Sequence, residues 1–153
     1  MREFLESSKY IDWKSSSITE MAARLAKKAE SEQEIVKRCF EFVRDEIRHS
    51  LDYKLNTITC KASDVLKEQT GFCFAKSHLL AALLRANNIP AALLYQRIAY
   101  GENKEAFYWH GLNSVYLKNF GWYRLDPRGL KAGLSSDFCP PDESLPFTPT
   151  YKN

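Results

Sequence analysis

The chain has 153 residues, of which 44% are hydrophobic, 13% aromatic and 27% charged. This balance is typical of a globular protein that buries one core, and it excludes wholesale disorder. The net charge of +3 comes from 22 basic and 19 acidic residues interspersed along the chain, so we expect no nucleic-acid partner. We expect a single domain over residues 1–153.

Signals for export, membrane insertion and metal binding are not found in the sequence. The opening MREFLESSKY carries charges where a secretory signal needs an apolar core. The longest apolar run, 79–84, is too short to span a bilayer. Four widely spaced cysteines do not suggest a disulfide framework, and the histidines show no zinc-ligand spacing with them. We therefore expect a cytoplasmic protein with no membrane partner, no metal and no other cofactor.

Two capping patterns predict the first two helices. Ser17 with Glu20, and Ser31 with Glu34, have the spacing at which each side chain can accept the other's backbone N–H. The first pattern predicts a helix over 18–28. The second precedes apolar residues that recur at helical spacing as far as position 47, so we expect this helix to pack on the core.

A buried helix is the main feature of the middle of the chain. The stretch HSLDYKLNTITC loses the helical period and predicts a loop, followed by a short helix over 63–69 that Gly71 can end in a left-handed conformation. From Cys73 to Asn87 apolar residues cover most of the circumference, which predicts a central helix buried on nearly all sides.

Three strands are predicted next, over 91–100, 106–117 and 121–126, and they form an antiparallel meander. Four of the six prolines lie in the last 14 residues, so we expect 131–153 to be extended, without regular elements. This segment is expected to pack along the sheet rather than cross a cleft. Helices followed by strands indicate a segregated α+β fold.

Cys73 stands where the buried helix begins, between Phe72 and Phe74. The start of a helix has unpaired N–H groups and a partial positive charge, which favour a thiolate. A nearby imidazole would form a thiolate–imidazolium pair, and a third group would orient the imidazole. Cys73 is therefore a candidate nucleophile.

His110 and Asp126 can supply the other two groups, because they lie in the second and third predicted strands. If the turn comprises residues 118–120, with Gly121 at positive φ, position 110 faces position 128 and Asp126 is the diagonal neighbour of His110. Both side chains then share one face of the sheet. A turn of even length would place them on opposite faces.

Each of these residues alone has a commoner structural role. A cysteine between two phenylalanines is more often a small buried hydrophobe, and a histidine in an aromatic strand is more often a satisfied core residue. An aspartate before a proline is usually part of a turn. The candidate site depends on the combination.

Two longer stretches carry a family resemblance. ASDVLKEQTGFCFAKSHLLAALLRANNIPA resembles the core of the transglutaminase-like superfamily, in which Gly-x-Cys begins a buried helix that ends in Ile-Pro. HGLNSVYLKNFGWYRLDPRG resembles the second half of that core, where one strand carries His and the next, entered through Gly-Trp, ends in Asp-Pro. The resemblance covers about residues 35–130.

The resemblance implies a papain-like architecture of the bacterial, single-domain type, with Cys73, His110 and Asp126 as a catalytic triad. Gly111 and Leu112 depart from the Ala-Trp that many relatives carry after the histidine, so we expect a wider cleft or a different cover over the substrate. The chain shows no calcium-loop pattern, and calcium activation is not expected.

Several neighbouring roles stay open at the level of sequence. By residue type, Gln69, Gln96 and His49 are candidates for a second oxyanion donor beside the backbone N–H of Cys73. His78 would point about 140° around the helix from Cys73 and is not expected to be the base. Five aromatic residues on the last two strands fit cleft walls and core packing equally well: Phe107, Tyr108, Trp109, Trp122 and Tyr123.

The sequence favours a thiol enzyme that forms an acyl-enzyme from an amide and passes the acyl group to water. The expected substrate is a peptide or protein amide, an isopeptide-like amide or a small amide. Transfer to an amine uses the same acyl-enzyme and is the nearest alternative. A non-catalytic module that binds a peptide in the same groove is the alternative from another class.

Overall fold

The computed structural model describes residues 1–100, 106–131 and 133–147. Residues 101–105, between the first two predicted strands, lie outside them. The helices are a 3₁₀ helix (Arg2–Leu5), α1 (Ser16–Ala26), α2 (Glu32–Glu46), α3 (Ala62–Glu68) and α4 (Cys73–Ala86). The strands are β1 (Arg48–His49), β2 (Thr70–Gly71), β3 (Ala91–Tyr100), β4 (Ala106–Leu117), β5 (Gly121–Leu125), β6 (Asp137–Cys139) and β7 (Asp142–Ser144). This order confirms the predicted α+β class.

Helix α4 is the central helix that the sequence predicts. Every residue from Ala75 to Leu84 is buried, and the helix contacts α1, α2 and α3 as well as β3 and β4. None of the described helices has the length and apolar character that crossing a membrane requires. Packing on so many sides holds the first residue of α4, Cys73, in a defined position.

Lys76 is a fully buried charged residue of α4, and it joins α4 to the end of α2. Its side chain is fully buried, and its ammonium donates to the carbonyl of Arg44 at 3.3 Å and to the carbonyl of Ile47. Carbonyls at a helix C-terminus lack partners within their own helix and favour a positive charge. Burial lowers the pKa of Lys76 to about 7.

The β3–β4–β5 sheet is the predicted antiparallel meander. Leu117 pairs with Gly121 across a three-residue turn, and Gly121 has a φ of 76°, as the odd-length turn requires. Asn113 faces Leu125, so the predicted register is confirmed. Strand β5 ends at Leu125, one residue earlier than predicted, and Asp126 follows it directly.

The two capping patterns have different outcomes. Ser15 is the N-cap of α1 and Ser17 lies within the first turn, so the predicted capping box of α1 is wrong. At α2 the Ser31 hydroxyl accepts from the Glu34 backbone N–H at 3.2 Å, as predicted. The Glu34 carboxylate accepts from the backbone N–H of Glu30 instead of that of Ser31, so only half of this box forms.

The region predicted as a loop between α2 and α3 contains β1, which pairs in parallel with β2. Two-residue strands are too short to leave a periodic signal in the sequence. The left-handed residue after α3 is Gln69, with a φ of 52°, so the prediction for Gly71 is wrong. Gly71 permits a close approach instead, because a Cβ there would lie 2.9 Å from that of Ala75.

The C-terminal segment contains regular structure that the sequence does not predict. β6 and β7 form an antiparallel hairpin, and β7 lies beside β5. The Tyr123 hydroxyl donates to the Asp142 carbonyl at 2.7 Å, and the Arg124 guanidinium pairs with Glu143 at 2.6 Å. The prediction of no regular elements over 131–153 is therefore wrong for this hairpin, while 148–153 lie outside the described residues.

The capping geometry predicts a matched pair of stability effects. Ser31→Ala removes the hydroxyl that caps α2, so we expect the free energy of unfolding to fall by about 1 kcal/mol. Ser17→Ala removes an exposed hydroxyl inside α1, and we expect a change within about 0.5 kcal/mol. Urea unfolding of both variants measures the difference; equal losses would contradict the assignment of the caps.

Candidate active site

Cys73 is the first residue of α4, and Phe72 is the N-cap. Cys73 is only 2% exposed. The chain enters the helix from β2, where the Gly71 carbonyl accepts from the Ser50 backbone N–H at 3.1 Å. The thiol therefore lies at the N-terminus of α4, where unpaired N–H groups and a partial positive charge stabilise an anion.

His110 and Asp126 share one face of the sheet, as the register requires. His110 Nε2 donates to Asp126 Oδ2 at 2.5 Å, and each of the two residues is 1% exposed. Cys73 is also a neighbour of His110, and this proximity contributes to the raised pKa of the imidazole. Because Nε2 is engaged by Asp126, the other ring nitrogen, Nδ1, is the one available to the sulfur. The structure thus brings the three predicted residues together.

The Asp126 carboxylate is held at both oxygens. While Oδ2 accepts from His110, Oδ1 accepts from the backbone N–H of Arg128 at 2.9 Å, two residues further on. The Arg128 guanidinium pairs with Asp52 at 2.8 Å. Asp126 is therefore both a turn residue and the partner of His110, and the two sequence interpretations are compatible.

Electrostatics in the site favour a charged His110. Burial lowers the pKa of His110, but the hydrogen bond to Asp126 and the proximity of Cys73 outweigh burial and raise the pKa to about 9. The pKa of the nearby His49 goes the other way, to about 4, because burial dominates and Arg128 adds repulsion. At neutral pH the site therefore holds one imidazolium, beside the thiol, and one neutral imidazole.

Phe147 is a site neighbour that the sequence analysis missed. Its ring meets the His110 ring edge-on, with 4.9 Å between centroids, and its carbonyl accepts from the Gln96 amide at 3.4 Å. The expectation that the C-terminal segment packs along the sheet holds for β6 and β7, but it is wrong for Phe147. The β6–β7 hairpin leads the chain to this contact, but strands of three residues leave no periodic signal in the sequence, so the contact could not be predicted.

The residues considered as a second oxyanion donor occupy different places. Gln69 is exposed at the end of α3 and does not belong to the site. Gln96 faces His110 across the β3–β4 ladder. His49 lies in β1, with its ring 5.1 Å from that of Phe72. Gln96 in β3 and His49 in β1 therefore lie beside the triad.

His78 is a satisfied structural residue. Its Nδ1 bonds to the Cys60 carbonyl at 2.7 Å, and its ring stacks on Tyr10. This geometry agrees with the expectation that His78 is not the base.

The aromatic residues of β4 and β5 divide between the two roles left open. Tyr123 is buried in the core, whereas Tyr108, Trp109 and Trp122 are exposed. A Cβ at Gly111 would lie 2.7 Å from the Phe74 ring, so this ring fills the space that glycine leaves. The absence of a side chain at Gly111 therefore lets α4 approach β4 closely and does not widen the cleft there.

The raised pKa of His110 can be measured by NMR titration of its Cε1 proton. We expect His110 to titrate at about 9. In Asp126→Asn the loss of the carboxylate removes the main interaction that opposes burial, so the pKa of His110 should fall, while the contribution of Cys73 remains. The spectrum of His110→Gln assigns the resonance, and His49, at about 4, titrates in a different interval. A pKa that does not change in Asp126→Asn would contradict the described pairing.

Comparison with solved structures supports the fold. A candidate cysteine protease from Cytophaga hutchinsonii matches with a TM-score of 0.64 and 23% identity, over 83% of this chain and 41% of that one. The periplasmic domain of TgpA from Pseudomonas aeruginosa matches with a TM-score of 0.60 and 18% identity, over 82% and 46%. A structure described as a TGase matches with a TM-score of 0.52 and 21% identity, over 77% and 31%.

These likenesses establish the architecture, and the chain spans less than half the length of each of the three structures. No curated protein sequence matches the chain. The family model described as the transglutaminase-like superfamily matches residues 19–127, which include Cys73, His110 and Asp126. The chain therefore belongs to the transglutaminase-like superfamily.

Proposed function

We propose that the protein is a cysteine-nucleophile hydrolase that cleaves a peptide or isopeptide-like amide through an acyl-enzyme on Cys73. The observation that carries this proposal is the hydrogen-bonded pair of His110 and Asp126 beside Cys73, at the start of α4. A nucleophile, a base and a group that orients the base are the three parts that this chemistry needs.

Acylation uses the two nitrogens of His110 for different tasks. The Cys73 sulfur attacks the carbonyl carbon, while Nε2 stays on Asp126, which fixes the ring and stabilises its positive charge. When the C–N bond breaks, the imidazolium gives its Nδ1 proton to the leaving amine. The products of this half are the free amine and a thioester on Cys73.

Deacylation returns the enzyme to its starting state. Water replaces the amine, and neutral His110 takes one of its protons as the oxygen attacks the thioester. The carbon–sulfur bond breaks and the carboxylic acid leaves. The proton taken from water stays on His110, so the Cys73–His110 pair holds one proton again, as at the start. The backbone N–H of Cys73, at the free end of α4, is placed to stabilise the oxyanion in both halves.

Transfer to an amine is the second form of the same proposal. Several relatives in the comparison are named for protease or transglutaminase chemistry, and an amine can enter where water enters. We propose a peptide, a protein or a small amide as the acyl donor, and neither a cofactor nor nucleic acid as a partner. The described cysteines are all free thiols, which suits the reducing cytoplasm that we propose as the location.

The role of His110 predicts a change in the reactivity of Cys73. We expect iodoacetamide at pH 7 to modify Cys73 faster than the fully buried Cys39, whose pKa burial raises to about 12. In His110→Gln, a variant of similar size, the Cys73 rate should fall at least tenfold. Exposed Cys60 and Cys139 serve as internal standards in the same digest, read by mass spectrometry.

An unchanged ratio of the Cys73 rate to the Cys60 rate in His110→Gln would remove His110 from the role of base. It would then favour the non-catalytic peptide-binding module.

The reaction itself is tested by incubating the protein with a peptide library and a labelled primary amine. We expect hydrolysed products, with amine incorporation into the same peptides if transfer competes with water. Cys73→Ser should abolish both, because the hydroxyl is a much weaker nucleophile, and Cys60→Ser should abolish neither. Activity that survives in Cys73→Ser would contradict the mechanism.

A further inference from the structure

The segment after β7 crosses the face of the sheet that carries the triad. Glu143 is held on β5 by Arg124, both through the guanidinium and through an Arg124 backbone N–H at 2.9 Å from its carboxylate. Four residues further on, the Phe147 ring lies on His110 of β4 and its carbonyl lies at Gln96 of β3. Residues 143 and 147 therefore contact residues of all three strands, β5, β4 and β3.

The contacts of Phe147 are those of a bound peptide residue. The edge-on ring contact covers the imidazole, and the Arg128 guanidinium lies 5.8 Å from the centre of the same ring. A side-chain amide, that of Gln96, meets the backbone carbonyl. An aromatic side chain held by a ring and a cation, together with a hydrogen bond to its main chain, is a common way to bind an extended peptide.

All three members of the triad are nearly inaccessible, and the Phe147 ring covers one of them, His110. Cys73 is 2% exposed, and His110 and Asp126 are each 1% exposed. A substrate carbonyl must reach the Cys73 sulfur beside His110, so a peptide and Phe147 compete for the same imidazole.

We propose that Gln96, His110 and Arg128 form a subsite for an aromatic residue of a peptide, and that the chain's own Phe147 occupies this subsite and closes the active site. The inference rests on the proposed function and extends it to a substrate class, an extended peptide with an aromatic side chain. Displacement of Phe147 then precedes the binding of substrate. The anchoring of β7 on β5 keeps the segment close, so it competes with substrate as an intramolecular ligand.

The test compares Phe147→Ala with Phe120→Ala in the full chain. Phe120 is exposed in the β4–β5 turn, so its substitution removes the same atoms far from the subsite. We expect iodoacetamide to modify Cys73 at least fivefold faster in Phe147→Ala and at an unchanged rate in Phe120→Ala. Buried Cys39 reports any general loosening of the fold and should keep its wild-type rate.

If Phe147→Ala loosens the fold, two further measurements still test the proposal. Glu143→Ala removes the contact with Arg124 that anchors β7 on β5 and leaves the subsite residues unchanged, and it should also accelerate the modification of Cys73. A synthetic peptide with the sequence of residues 142–147 should slow Cys73 modification in Phe147→Ala, and the same peptide with alanine as its last residue should not.

Equal Cys73 rates in wild type, Phe147→Ala and Glu143→Ala, with no effect of the peptide, would overturn the subsite. In that case a tenfold fall in His110→Gln would still support the proposed function. If His110→Gln leaves the Cys73 rate unchanged while Phe147→Ala raises it, the subsite stands as a peptide-binding site and the catalytic role fails.

Discussion

The turn between β4 and β5 determines whether His110 and Asp126 can meet. Its three residues, with Gly121 at positive φ, pair Leu117 with Gly121 and so place the two side chains on one face. One residue more or fewer would turn them to opposite faces, because side chains alternate along a strand. The 2.5 Å hydrogen bond and the raised pKa of His110 both follow from this register.

The other half of the site depends on burial rather than on register. α4 is surrounded by helices and by the sheet, and Lys76 ties its first turn to the last carbonyls of α2. Gly111 allows the helix to lie close to β4, with the Phe74 ring in the space that a side chain would need. Cys73 is thus positioned by a rigid helix, while Arg128 and Asp52 fix the loop that carries Asp126.

The C-terminal segment adds a contact with the imidazole to this rigid frame, and we propose that this contact competes with substrate. Its hairpin is bound to β5 through Arg124 and Tyr123, whereas Phe147 makes its contacts directly at the imidazole. A segment tethered beside a site has a high effective concentration there, so even weak contacts can keep the site closed. In the proposed subsite, the same contacts define the aromatic side chain that we expect a bound peptide to place there.

The long helices and strands, and the candidate residues that they carry, could be predicted from the sequence. The strands of two or three residues could not. The periodicity of α4 and of the three long strands extends over many residues, and Gly121 marked the turn, so the meeting of His110 and Asp126 was predictable. β1, β2, β6 and β7 contain two or three residues each and leave no periodic signal. Phe147, Lys76 and Arg128 act through contacts that only the folded chain brings together, and Gln69 was missed because glycine is the usual left-handed residue.

The most direct test is a pre-steady-state measurement with an excess of a nitrophenyl ester of a short aromatic peptide, in wild type and in Phe147→Ala. The account predicts a burst that approaches one equivalent of nitrophenol per chain, with the acyl group mapped to Cys73 by mass spectrometry. The burst should be faster in Phe147→Ala and absent in Cys73→Ser. No burst in either protein, or acyl groups spread over the exposed Cys60 and Cys139, would contradict it.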